Sequence, residues 1–189
     1  MTFGCLNNFC KVNGGVLALW AAVMRAVPGS RLLLLAPRGR AQARVLTELA
    51  AMDIDSSRVS FVEHQPRPQY LSTYNRIDIG LDTFPYNGHT TSLDAFWMGV
   101  PVITLVGQTS VGRAGLSQLI NLALSDLVAS NEAQFIAVAT QLANDRSRVA
   151  ALRTGLRDRM RQSSLTDGPR FARNVEDALR RMWRTFRGS

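Results

Sequence analysis

Residues 81–97 read "LDTFPYNGHTTSLDAFW", and the chain changes character halfway along them. An apolar run ends at Leu81, and the aromatic, proline, asparagine and glycine residues that follow are turn formers. His89, Thr90 and Thr91 then stand in a polar row. From Ser92 to Met98 the apolar positions adopt helical spacing, closed by Gly99. A buried strand that passes through a tight turn into a helix is the unit from which α/β domains with parallel sheets are built.

The same alternation extends in both directions. Upstream, "TFGCL" (2–6), "RLLLLAP" (31–37), "RVSFVEH" (58–64) and "DIGLDT" (78–83) read as strands. Helical patterns at 16–27, 39–52 and 68–77 separate them. The unbroken apolar run of 31–37 suits a strand covered on both faces. Downstream, "PVITLVG" (101–107) and "DLVAS" (126–130) are strands around a helix at 113–124, and three helices follow at 132–143, 145–162 and 169–187. With no internal repeat, low-complexity tract or linker, residues 1–189 are expected to form one domain with an all-helical C-terminal extension from about 131.

The last helix places Phe171, Val175, Ala178, Leu179, Met182 and Phe186 on one stripe, which calls for a surface to pack against. Arginine supplies all but one of the 22 basic residues, and the net charge is +8. Twelve arginines against five acids lie in 145–189, so the charge belongs to these helices. A solvated helix face is the expected reading, and nucleic acid an unfavoured partner. No segment reaches the roughly 20 apolar residues that cross a bilayer, and the N-terminus lacks signal-peptide order, so a soluble, cytoplasmic protein is expected. Cys5 and Cys10 are too few for a disulfide framework or zinc site and are expected to be buried or half-buried.

In an open parallel sheet, ligands sit beyond the carboxyl ends of the strands. Asn7 to Lys11 follows the first strand, and Lys11, the single lysine, can reach a phosphate or simply face solvent. Arg67, after the third strand, suits a base or ribose, or water. Gly88 permits close backbone approach. His89, Thr90 and Thr91 lie where a helix begins, so its free N–H groups and dipole offer an anion site, unless Thr90 or Thr91 merely caps the helix. Asp94, read as lying on that helix's first turn, either favours the dipole or accepts hydrogen bonds from a ribose. A further turn, 106–115, either lines the same crevice or only reverses the chain.

The run "LDTFPYNGHTTSLDAFWMGVPVITLVGQTSVGRAGLSQL" (81–119) and the loop "FGCLNNFCKVN" (3–13) resemble the C-terminal donor-binding half of the O-linked N-acetylglucosamine transferase and SPINDLY-like glycosyltransferases. The resemblance covers nearly the whole chain. It implies a Rossmann-like parallel sheet flanked by helices, the C-terminal domain of a GT-B fold, which transfers a sugar such as N-acetylglucosamine from a UDP-sugar to serine or threonine. It also implies that Lys11 neutralises the departing diphosphate, with Asn8 at the place of a polar neighbour. His89, Thr90 and Thr91 would bind the diphosphate, Asp94 the ribose, and Arg67 would stand near a nucleoside-contacting basic residue. No metal or other cofactor is implied.

Gln108 departs from the family pattern, which has an acid there. The catalytic base and the protein-acceptor contacts belong to an N-terminal half and tetratricopeptide repeats not present in these 189 residues. The last helix would then cross onto that half, leaving the chain by itself prone to self-association. The competing readings are a nucleic-acid or partner-binding module and an inert fragment.

Overall fold

A computed structural model describes residues 1–188. Six strands form one sheet: β1 (Thr2–Cys5), β2 (Arg31–Leu35), β3 (Val59–Val62), β4 (Ile79–Leu81), β5 (Val102–Leu105) and β6 (Val128–Ala129). All pair in parallel, in the order β3-β2-β1-β4-β5-β6. The order reverses between β1 and β4, where Phe3 pairs with Ile79 and Gly4 with Gly80. The connections diverge on either side of that pair and open a crevice at its carboxyl end.

Helices cover both faces. α1 (Gly14–Ala26) follows β1, with Asn13 as its N-cap: the Asn13 side chain accepts from Val16 N–H at 3.0 Å. Its apolar residues point into the core almost all the way round, and Leu17, Trp20, Ala21, Val23 and Met24 are fully buried. α2 (Arg40–Ala50) buries only Val45 and Leu49. α3 (Arg67–Thr73) carries Pro68 in its first turn, where a missing N–H costs nothing. α4 (Thr90–Trp97) and α5 (Ala114–Asn121) follow β4 and β5. Gly99 ends α4 with φ +80°, and a side chain there would collide with the carbonyl of Arg153.

α6 (Glu132–Asn144) packs against α1 and β5, and α7 (Arg146–Gln162) against α4 and α6. Phe135, Ala139, Leu142, Val149, Leu152, Leu156 and Met160 join the single core, so these two helices are part of the domain rather than an extension. Several arginines of α7 are not simply solvated. Arg153, Arg157 and Arg159 donate to the carbonyls of Ile77, Trp97 and Leu122, and Arg157 and Arg161 lie over the Trp97 ring at 5.3 and 5.4 Å.

Only α8 (Gly168–Gly188) stands clear, with none of its described residues buried. The surface expected for Phe171, Leu179 and Met182 is not found among the described residues. Phe171, Leu179 and Met182 are each at least 60% exposed, and Trp183, stacked on Phe186, extends the stripe. Among the described residues no helix is long and apolar enough to cross a membrane.

Candidate functional site

The site grows from the two loops that leave the β1–β4 switch point. After β1, Asn8 starts a single 3-10 turn over Phe9–Lys11, its side chain accepting from Cys10 N–H at 3.1 Å. That turn swings Lys11 across the crevice. Its Nζ donates to the carbonyl of Asn87 at 2.8 Å and sits 3.9 Å from the centroid of the Tyr86 ring. Partial burial lowers the Lys11 pKa, while the Asp82 charge acts to raise it. Lys11 is thereby fixed one residue from Gly88 although 76 positions separate it from Asn87.

After β4 the chain folds tightly around one buried carboxylate. Asp82 Oδ1 accepts from Gly88 N–H at 2.7 Å, Thr83 N–H at 2.9 Å and Asn7 Nδ2 at 3.3 Å, and Oδ2 accepts from Thr104 Oγ1 at 2.8 Å. Burial pushes its carboxyl up to about 6 even though all four bonds act to lower it. Asn87, also buried, donates to the carbonyl of Thr83 at 2.9 Å. The close approach that requires Gly88 is made by the protein itself: a Cβ there would collide with Ser92 Oγ and stand 2.9 Å from Asn7 Oδ1.

His89 is the N-cap residue of α4, and no side chain caps this helix. The simple capping role open to Thr90 or Thr91 is therefore excluded; they are the first two helical residues. The opening N–H groups of α4 have no side-chain acceptor, and the positive end of the helix dipole lies beside Lys11. The His89 carbonyl accepts from Gln118 Nε2 at 3.1 Å, which fixes the helix start from α5. The 106–115 turn acts on the same loop from outside, as Val111 carbonyl accepts from Asn87 N–H at 3.0 Å and Gly115 N–H donates to Asn87 Oδ1 at 3.4 Å. Gln108, on that turn, is exposed.

Asp94 falls on the second turn of α4, not the first, because the helix starts at Thr90. Too far along to meet the dipole's end, it pairs instead with Arg67, whose two guanidinium nitrogens donate at 2.8 and 2.6 Å to its two oxygens. Tyr70 Oη also donates to Asp94 at 3.2 Å, and Tyr74 Oη, 2.7 Å from Tyr70 Oη, donates to the Thr91 carbonyl at 3.0 Å. Burial raises the pKa of both tyrosines, that of Tyr70 to about 12, so each keeps its proton to donate.

Asn8, Arg67, Tyr70 and Thr91 face a cleft of ≈ 790 Å³. That volume lies within the usual range for small-molecule sites. Cys10 also lines it and is exposed, contrary to its expected burial, because the 3-10 turn presents it outward; Cys5 is buried, which pushes its thiol up to about 12.

The structure thus gathers Lys11, Gly88, His89, Thr90 and Thr91 at one end of the crevice, with Asn8 and Arg67 along the adjoining cleft and Asp94 buried against Arg67 and Tyr70. Asp82, Asn87, Thr104 and Gln118, which support them, were not singled out from the sequence. For Asp82, Asn87 and Thr104 the only signal there is polarity at or after a buried strand; Gln118, inside α5, has none.

Comparison with known proteins places the chain in a family. Residues 1–175 match the model of glycosyl transferase family 41. The chain belongs to that family. A tomato (Solanum lycopersicum) protein described as a probable UDP-N-acetylglucosamine–peptide N-acetylglucosaminyltransferase SPINDLY is 37% identical over 194 residues, covering 98% of this chain. A Caenorhabditis elegans UDP-N-acetylglucosamine–peptide N-acetylglucosaminyltransferase is 27% identical over 186 residues. A mutant O-GlcNAc transferase from Thermobaculum terrenum superposes over 97% of the chain with a TM-score of 0.92 and 40% identity. The family 41 domain described here spans 20% of the tomato relative and 36% of the solved transferase. Sucrose-phosphate synthase from Thermosynechococcus elongatus, at 16% identity and a TM-score of 0.66, shares the fold. The architecture is that of the C-terminal domain of GT-B glycosyltransferases.

Proposed function

We propose that this domain binds the nucleotide-sugar donor of a protein O-glycosyltransferase, which transfers a sugar such as N-acetylglucosamine from a UDP-sugar to a serine or threonine hydroxyl. The observation that carries the reading is Lys11, held at 2.8 Å from the Asn87 carbonyl beside a helix start that no side chain caps. A fixed cation and unpaired N–H groups converge there, as a diphosphate requires. In the reaction, the acceptor oxygen bonds to the anomeric carbon as the bond to the diphosphate oxygen breaks. Lys11, His89, Thr90 and Thr91 stabilise the charge that grows on that oxygen. This is electrostatic catalysis by groups already in place, and no metal is needed to share it.

The nucleoside lies along the cleft. Asp94 accepts from the ribose hydroxyls, Arg67 and Asn8 stand beside the base and diphosphate, and the Arg67–Asp94 pair opens or shares its hydrogen bonds when the ribose arrives. The acceptor and the group that takes its proton come from the part of the protein outside this chain. The apolar stripe of α8 covers that part, and by itself makes the domain self-associate.

Calorimetric titration of UDP and GDP into the purified domain tests the reading. Saturable binding of one of them is expected, weakened about a hundredfold or more in Lys11→Ala, as befits loss of a charge-assisted contact. Uridine or guanosine binding should be untouched by the substitution. A folded domain that binds neither diphosphate refutes the proposal.

A further inference from the structure

Asp82 is the most buried acid described at the site, and it touches no part of the open cleft. Its exposure is 2%, yet it receives four hydrogen bonds from three different segments. Asn7 belongs to the loop that carries Lys11, Thr83 and Gly88 to the turn that ends at the start of α4, and Thr104 to β5. One carboxylate therefore fixes the spacing between the Lys11 loop and the α4 helix start. We infer that Asp82 is a positioning residue for the donor diphosphate: its ionised carboxylate, accepting from Gly88 N–H and Asn7 Nδ2 together, holds the two halves of the diphosphate site at binding distance. This rests on the donor reading above.

A neutral acid cannot do this equally well. Once protonated, Asp82 turns one oxygen into a donor, which only the Thr104 hydroxyl, or the Asn7 amide oxygen if that amide turns over, can accept. The bonds to Gly88 and Asn7 lose their charge assistance and the turn is free to shift. The titratable groups that interact with Asp82 are Lys11 and Cys5 from the β1 side; His89 follows Gly88 at the start of α4, and β5 contributes only the neutral Thr104. Lys11 and Cys5 do not change charge in the acid range. Any positive charge gained beside the diphosphate strengthens binding, which is the opposite sense.

The test uses UDP-N-acetylglucosamine, and then a GDP-sugar if the first does not bind. The esterified diphosphate of either ligand keeps its charge across the range studied. Affinity is measured from pH 8 to pH 5 for the domain and for Asp82→Asn, with the free nucleoside as control and circular dichroism to check the fold. Affinity of the unmodified domain should fall about tenfold as the pH drops through about 6. Asp82→Asn should bind about tenfold more weakly at pH 8, show no such fall, and bind the free nucleoside unchanged.

A sugar nucleotide bound equally at both pH values, or a fall that persists in Asp82→Asn, overturns the inference and leaves the donor reading standing. If neither sugar nucleotide binds the folded domain at pH 8, the donor reading fails and the inference with it. A nucleoside affinity that falls in step with that of the sugar nucleotide assigns Asp82 to general packing and also overturns the inference.

Discussion

Replacing Asp82 by asparagine should make the domain more stable near neutral pH while it damages the site. Burial raises the Asp82 carboxyl from 3.8 to about 6. The ionised form is thus held in the fold at a cost of roughly 3 kcal/mol relative to an ordinary carboxyl. The sign follows from proton counting: a group whose pKa is raised on folding adds stability at low pH, and that stability is lost as the pH rises through the folded value. Here the window runs from about pH 4 to about pH 6. Between pH 5 and pH 8 the wild type should lose on the order of 1 kcal/mol from this group alone.

Asparagine keeps an acceptor for Gly88 and Thr83 and turns Nδ2 toward the Thr104 hydroxyl, but it carries no charge to desolvate. Urea unfolding followed by circular dichroism at pH 5, 6, 7 and 8 gives the stability of both proteins. Other titrating groups are shared and cancel in the difference. The variant's advantage should be greatest at pH 8 and shrink by on the order of 1 kcal/mol at pH 5. A difference that stays constant, or that grows toward acid, would refute the assignment of a raised pKa to Asp82.

Gly88→Ala puts a Cβ into Ser92 Oγ and close to Asn7 Oδ1, and should cost about 1–3 kcal/mol of unfolding free energy along with donor affinity, read by the same denaturation and by calorimetry. Iodoacetamide should label one thiol, Cys10, leaving buried Cys5 intact, and UDP should slow the labelling because Cys10 lines the cleft; peptide mass spectrometry reads both. Leu179→Asp with Met182→Asp should abolish concentration-dependent association in sedimentation velocity without shifting the melting temperature, since both side chains are exposed on α8.

The strand and helix order could be read from hydrophobic period because the central strands are buried and each crossover carries a helical pattern. The parallel sheet followed from that alternation, whereas the switch point between β1 and β4 is set by strand pairing that no local pattern states. Lys11 and the helix start were legible for a similar reason: both lie at strand ends, where an open sheet exposes its loops. What the sequence hid is long-range pairing. Nothing local in residues 81–97 says that Asp82 will be reached by Asn7 from 75 positions away, or that Arg67 will take both oxygens of Asp94. The hidden residues are those whose polar groups are satisfied inside the protein, where burial makes a partner obligatory without naming it. Helix boundaries misled in one place. Reading the α4 start two residues late put Asp94 on the first turn and left Thr90 and Thr91 as candidate caps.

The bond from Lys11 to the Asn87 carbonyl also bears on when the domain matures. Every part of the site depends on β1 meeting β4, and β2 and β3 are made between them. Closing so long a loop must be finished before its contacts reward it. During synthesis the first half of the chain can fold its helices and pair β1 with β2, yet it holds no completed anion site until residues past Thr91 have emerged. A ligand that recognises the finished crevice binds only chains that have closed this loop, and it stabilises them by about 1.4 kcal/mol for each tenfold excess over its dissociation constant. Its supply would then act as a quality check on newly made protein, retaining those molecules whose two sheet halves have joined.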